Sequence, residues 1–584
     1  MPRLLALFAL AFASSFASAA EPKPEPKVKL VVLVVFDQLR ADFIDKWQPQ
    51  FGAGGFKRLQ TKGAWFTDCH YPYAVTSTGP GHASMLTGAT PSKTGIVNNE
   101  WYDRATGAEA YCAGTDRYDL VPAAILEKVE PGDEPKEPVK KKPKAIGTPD
   151  RLLSPTLADE LKAGAKPGKV FGLSLKDRSG ILPSGKKPDG VYWFDGRFVT
   201  STYYREAPHK WADEFNKSKA VDAWFGKDWT KFKPDLDYDK LAGPDDGAGE
   251  SKGVGQGVKF PHAMTGGLKV AGRKYYEALA NSPFGNELLL DFAKVCIDSE
   301  KLGQRDAPDL LTISFSSNDL IGHAWGPDSQ EVLDTTLRSD AIVESLLKYL
   351  DEKVGKDQYA VMLTADHGIC PLPEFAAAHG KDAKRISGVA LAAGCEKFLR
   401  EKFGDIVNPK EGDDPKAKVS TRYLEAFSPP YLYLNHRLLA AKNLKPDDVA
   451  TALAEHLCSR DGVARVLTYS DLKTGKVVGD DAIGRRVLRS FHPDRSGDVY
   501  IVLKPYYLLG SVTVGDKLAT GTNHGSPHEY DTHVPLLVYG PGVASGTRGE
   551  AVTPLHSAAI GAYFLGIPAP NDAEYGLPKT LLAK

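Results

Sequence analysis

The stretch "VKLVVLVVFD", residues Val28 to Asp37, makes the rest of the chain readable. Apart from Lys29 it is unbroken apolar sequence, rich in β-branched side chains, and an aspartate ends it. Continuous rather than alternating apolarity marks a strand buried on both faces, as in a parallel or mixed sheet with helices on each side. Similar runs recur at "LLTISF", at "YAVMLTA" and, late in the chain, at "HVPLLVYG". Helical patterns such as "NELLLDFAKVCIDSEKL" and "DAIVESLLKYLDEKVG" lie between them. This alternation predicts an α/β fold.

The chain has 584 residues, a formal net charge of −1 and an ordinary hydrophobic fraction. That length allows two to four domains, or one large α/β domain with insertions. A charge so near zero argues against nucleic acid or an anionic membrane as the main partner. Arg3, the apolar run "LLALFALAF" and the small residues Ala17-Ser18-Ala19 read as a cleaved signal peptide over residues 1–20. Export to the periplasm or medium is therefore expected. The run is too short to span a bilayer, and no later run reads as a transmembrane helix. "EPKPEPK" makes residues 21–28 a Pro-rich, extended tether. Six scattered cysteines with no CxxC argue against a zinc–thiolate site. In an exported protein they could pair in fifteen full connectivities, or stay as buried thiols.

Residues 29–584 are expected to form the main domain, interrupted by an insertion at about 101–262. That insertion is rich in Pro, Gly, Lys and Asp and poor in long periodic segments. Its lysine run, Lys140, Lys141, Lys142 and Lys144, reads as a solvated loop rather than an anion site. "DDGAGESKGVGQGV" lacks the preceding strand and the GK[ST] ending of a phosphate loop, and reads as a plain loop.

Chemistry-bearing side chains collect just after the apolar strands, where open α/β sheets place their sites. Asp37 follows the first. Asp319 and His323, in "SFSSNDLIGHAW", follow "LLTISF" and share one face of a helical turn. Asp366 and His367, in "LTADHG", follow "YAVMLTA". "GTNHGSPHEYDTH" holds His524, His528 and His533, of which His524 in its Gly-flanked turn is the best placed to reach inward. Each is modest evidence alone. Together, Asp37, Asp319, His323, Asp366, His367 and His524 make two mixed oxygen/nitrogen sites suited to Zn²⁺. "TSTGPGHASMLTG" places the hydroxyls of Thr76, Ser77 and Thr78 before what reads as a helix start, where negative charge is favoured. The residues alone leave open which hydroxyl acts. "SLKDRSG" reads as a strand tail with Lys176 and Arg178 on one face and Asp177 on the other. A solvated strand edge would account for that pair equally well.

The ordered set of Asp, Thr-Gly-Pro-Gly-His, Asp-x-x-x-His, Asp-His-Gly and Asn-His-Gly resembles the alkaline phosphatase superfamily, in its nucleotide pyrophosphatase/phosphodiesterase-like branch. "SLKDRSGILPSG" and "YWFDGRFVTSTYY" are similar to the PafA-type bacterial alkaline phosphatases within that branch. The resemblance implies a three-layer fold with a central, mostly parallel sheet flanked by helices, plus a large irregular insertion. It implies two Zn²⁺ per chain, one held by Asp37, Asp366 and His367 together with the nucleophile, the other by Asp319, His323 and His524. The nucleophile would be Thr78, passing through a covalent phosphothreonine, and His82 would be structural. Asn99, Lys176 and Arg178 would bind the phosphate, and the cation pair would select monoesters, since diesterase relatives lack it. The implied activity is a broad phosphomonoesterase acting as a monomer on small phosphate monoesters. A phosphodiesterase or nucleotide pyrophosphatase on the same scaffold is the alternative. The missing Cys/Ser-x-Pro-x-Arg sequence argues against a sulfatase.

Overall fold

The computed structural model describes residues 27–124, 146–164, 166–406, 421–476, 481–510 and 519–583. The expected signal peptide, most of the tether and the lysine run at 140–144 lie outside them. The strands that position the site are β1 (Leu30–Phe36), β2 (Ala64–Cys69), β3 (Leu120–Val121), β4 (Val170–Ser174), β5 (Gly190–Phe194), β6 (Phe198–Ser201), β7 (Asp309–Phe315), β8 (Tyr359–Thr364), β9 (Leu424–Ser428), β10 (Tyr431–Leu434), β11 (Val463–Thr468), β12 (Val499–Leu503), β13 (Leu536–Tyr539) and β14 (Gly546–Val552).

Ten strands form one sheet in the order β14-β2-β13-β8-β1-β7-β4-β5-β6-β3. Its centre is parallel: β1 pairs with β7 and β8, β7 with β4, and β4 with β5. The rims are mixed, with β13 antiparallel to both β8 and β2, and β6 antiparallel to β5. Every residue of β1, β7 and β8 is buried, as the unbroken apolar run of β1 and the largely apolar runs of β7 and β8 lead one to expect. The helices Pro283–Glu300 and Gln330–Lys353 pack on the sheet through their apolar faces.

Two features depart from the expected layout. Residues 170–201 supply β4, β5 and β6, so the 101–262 stretch is only partly an insertion; its second half builds one wing of the main sheet. The strands β5 and β6 are short and joined by a turn at Gly196, which hid their pattern. Residues 424–503 form a second, antiparallel sheet in the order β9-β10-β12-β11. One face of this small sheet has its own core with the helices Gly388–Phe403 and Pro446–Cys458. The other face packs against Ala74 and Val75, just ahead of Thr76. The backbone N–H groups of Ala74 and Val75 both donate to Ser490 Oγ, at 2.9 and 3.0 Å, which fixes that approach.

All six cysteines are free, and only Cys458 is exposed. Burial pushes the Cys69 and Cys296 thiols well up from their ordinary value, so both stay protonated and inert. A thiol assay without reductant is therefore expected to find six groups in denaturant and one in the native protein. A lower denatured count would reveal disulfides and contradict this packing.

Candidate active site

Four neighbouring parallel strands end together. Register aligns Val35 of β1 with Ser314 of β7 and Thr364 of β8, and Ser314 with Ser174 of β4. Just beyond these ends stand Asp37, Asp319 with His323, Asp366 with His367, and Lys176. The side chains of Asp37, Asp319 and Asp366 are almost wholly buried. Three carboxylates packed this closely repel one another and lose their hydration. For Asp37, burial and then the charges of Asp319 and Asp366 raise the pKa to about 7. Burial would also raise Asp366, but His367 and His82 hold it well below the usual range. His367 responds in kind: burial lowers it, but Asp366 lifts it to about 9. Positive charge is what this cluster lacks.

The histidines are oriented alike. His367 Nδ1 lies 2.9 Å from Gly368 O, His323 Nδ1 2.8 Å from Thr522 O, and His524 Nδ1 2.7 Å from Thr76 O. A ring whose Nδ1–H donates to a carbonyl presents a free Nε2 lone pair, the usual arrangement of a metal ligand. Those Nε2 atoms converge on the carboxylates. His367 is 3.2 Å from Asp366 Oδ2 and 3.5 Å from Asp37 Oδ1, while His323 and His524 are 3.1 and 3.5 Å from Asp319 Oδ1. Two donor groups result, Asp37/Asp366/His367 and Asp319/His367/His524, each with its atoms within 4.8 Å of one another. Asp37 Oδ1 and Asp366 Oδ2 are buried and accept no hydrogen bond. Orphaned buried carboxylate oxygens beside imidazole Nε2 atoms fit a divalent cation such as zinc. His528 and His533 turn elsewhere, to Leu503 O and Thr67 O.

Thr78 is the first residue of the helix Thr78–Thr87, and its side chain is buried at the cluster, with Oγ1 3.4 Å from His367 Nε2. Thr76 Oγ1 instead donates to Ser526 O at 2.8 Å, tying the segment to the loop that carries His524. Asn99 Oδ1 accepts from Gly79 N at 2.6 Å, so Asn99 sits against the same helix start. His82 fills the structural role expected of it. Its Nδ1 is 2.9 Å from Thr78 O and 3.2 Å from Asp366 Oδ2, and its Nε2 is 2.8 Å from Ser314 Oγ.

Lys176 and Arg178 correct the expected local structure. Strand β4 stops at Ser174; Lys176 caps the helix Asp177–Ser184, and Arg178 lies in its first turn. Alternation along a strand is therefore not what brings them together. Lys176 Nζ stands 2.7 Å from Asp37 Oδ2 and 2.5 Å from Asp319 Oδ2, bridging the two donor groups. Arg178 Nη1 reaches Tyr111 OH at 3.5 Å. Asp177 does not point away: it accepts from Tyr111 OH and from Arg178 N.

Sequence reasoning passed over Gln38. Its N–H donates to Asp366 Oδ1 at 3.1 Å and its Nε2 to Asp319 Oδ1 at 2.7 Å. It holds φ at 71°, the left-handed region that glutamine rarely adopts. Its place directly after Asp37 was the only signal available.

These positions can be set against known proteins. The sequence matches the type I phosphodiesterase / nucleotide pyrophosphatase family over residues 31–527. The chain belongs to this family. A Myroides odoratus protein named a calcium-transporting ATPase is 33% identical over 93% of this chain and 92% of its own length. Alkaline phosphatase PafA of Elizabethkingia meningoseptica is 32% identical over 91% of this chain and 90% of its own. A crystal structure of PafA superposes with a TM-score of 0.81 at 30% identity, covering 97% of this chain and all of that one. PafA has also been solved as a variant altered at one Thr, one Asn, one Lys and one Arg. The PafA-type resemblance and the three-layer α/β fold are thus borne out.

Gly81 explains the "GPGH" in the helix start. A Cβ there would lie 2.3 Å from Asp366 O and 2.7 Å from Asp366 Cβ, so the helix can approach the strand end only with glycine. Gly81→Ala is expected to cost about 1–3 kcal/mol of stability through overpacking. It should also lower metal affinity by displacing Asp366. Thermal unfolding and metal analysis after dialysis check both, and unchanged metal content would refute the placement of Asp366 as a ligand.

Proposed function

We propose that this chain is an exported, zinc-dependent phosphomonoesterase of broad specificity, acting as a monomer. The observation that carries the reading is the cation pair. Lys176 Nζ lies between Asp37 and Asp319, and Arg178 follows in the first turn of the helix that Lys176 begins, with Nη1 3.5 Å from Tyr111 OH. A monoester dianion brings more non-bridging charge than a diester, so two fixed cations favour it selectively. Arg178 supplies a planar fork and Lys176 a point charge.

Asp37, Asp366 and His367 would hold one zinc beside Thr78, and Asp319, His323 and His524 the other. Bound there, the metals supply Lewis acidity at the attacking and leaving oxygens of an in-line displacement. Thr78 Oγ1 attacks phosphorus. The bond to the leaving alkoxide breaks, and a phosphothreonine forms. Water then cleaves that ester, so two inversions give net retention. The helix N-terminus at Thr78 and the Asn99 amide stabilise the non-bridging oxygens, and Arg178 and Lys176 neutralise their charge. Little covalent work falls to the protein beyond positioning and charge. The family relationship and the PafA relative support this reading. Among the described residues no helix is long and apolar enough to cross a membrane. The Arg3 to Ala19 signal supports export.

Rates on an aryl monoester and its matched diester, measured with metal-analysed enzyme, test the assignment. The monoester should be strongly preferred, with about two zincs per chain. Lys176→Ala and Arg178→Ala should each cut monoester kcat/KM on the order of 10²-fold, with a much smaller effect on the diester. A diester preferred tenfold or more, or monoesterase activity unmoved in both variants, overturns it.

A further inference from the structure

Beside His323, His524 and Asn99 opens a cavity of about 300 Å³. Its near wall is the loop 523–531 that carries His524, and its far wall belongs to the second sheet and the strand that follows it. Phe427 of β9, Leu503 at the end of β12 and Leu509 in the strand Tyr507–Gly510 line that far wall. All three are only partly buried. Phe427 and Leu509 flank one spot: a Cβ on Gly388 would lie 3.5 Å from Phe427 Cε1 and 3.9 Å from Leu509 Cδ2. Leu509 belongs to none of the apolar clusters that hold the fold together. Among the described residues no lysine or arginine lines the cavity, and Asp531 is the only carboxylate that does.

The position of the cavity decides what it receives. His323 and His524 line it, whereas Asp37, Asp366, Thr78, Lys176 and Arg178 do not. In a displacement led by Thr78, the departing alcohol leaves on the side away from the nucleophile, toward Asp319, His323 and His524. The second sheet is pinned at that place. Asn98 Nδ2 donates to Pro429 O at 2.9 Å and Ser428 Oγ to Glu100 O at 3.2 Å, so the apolar wall is joined to the Asn99 loop on both sides.

We propose that this cavity is the leaving-group subsite and that Phe427, Leu503 and Leu509 make it select phosphomonoesters of apolar alcohols, alkyl or aryl. This rests on the monoesterase reading above. Small polyols gain nothing from the apolar wall. Anionic leaving groups, such as a nucleotide's remaining phosphates, meet no lysine or arginine there among the described residues. Each methylene moved from water onto such a wall is worth about a fourfold gain at full burial, from about 0.8 kcal/mol per CH₂.

The test measures kcat/KM of the zinc-loaded full chain on methyl, butyl and hexyl phosphate, and on propyl phosphate against glycerol 3-phosphate. The alkyl series keeps the leaving-group basicity nearly constant, so its slope reports contact rather than reactivity. The hexyl-to-methyl ratio should reach at least tenfold, and propyl should exceed glycerol 3-phosphate. Phe427→Ala and Leu509→Ala should each lower the hexyl-to-methyl ratio severalfold, and Phe427→Leu should restore most of it. Should a variant fail to fold, the parent's inhibition constants for hexylphosphonate and methylphosphonate give the same comparison, with hexyl expected to bind at least tenfold tighter. Monoesters cleaved with a ratio within twofold of one, or a ratio untouched by both alanine variants, would overturn the subsite and leave the monoesterase reading standing. No monoester turnover alongside diester turnover would instead sink both.

Discussion

Everything at the centre of this protein answers to one electrostatic problem: Asp37, Asp319 and Asp366 are buried together at the ends of three adjacent strands. Burial and then their mutual repulsion raise Asp37, and the charge of Asp366 lifts His367. The fold meets that cost with a fixed supply of positive charge and hydrogen-bond donors. Lys176 bridges two of the carboxylates, His82 stands beside the third, and Gln38 donates to Asp366 and Asp319 together. Divalent cations would complete the balance and turn a structural burden into catalytic potential.

The parallel centre of the sheet makes such crowding possible. Aligned register brings the ends of β8, β1, β7 and β4 level, so residues far apart in sequence emerge side by side. Nothing in that arrangement supplies Thr78 or the third histidine. Thr78 comes from a helix start that approaches closely only because Gly81 has no side chain, and His524 from a loop held by Thr76. The two segments are tied to each other, through Thr76 Oγ1 to Ser526 O and His524 Nδ1 to Thr76 O. Thr78 and His524 are therefore positioned as one unit.

The second sheet acts at one remove. It touches none of the carboxylates, yet its faces fix the approach to Thr76 and wall the cavity beside His323. On the proposed reading, the parallel sheet would set what is done to a phosphoester, and the antiparallel sheet which alcohol is accommodated.

The local sequence determined the strands, because a run such as Leu30–Phe36 can be satisfied only by burial on both faces, and it determined the ligand types that follow them. Spacing also singled out the Asp319/His323 turn and the glycine-bounded His524. Tertiary structure alone decided the rest. Lys176 and Arg178 are neighbours through a helix start rather than a strand face, because β4 ends four residues before Arg178, which its pattern had placed on the strand. Gln38 became part of the site through a left-handed backbone turn that no side-chain pattern announces. The short strands of 190–201 and the sheet of 424–503 were illegible because their stability comes from partners distant in the chain. Phe427 and Leu509 acquire meaning only beside His323 and His524, since a cavity belongs to the surfaces that meet around it and to no single segment.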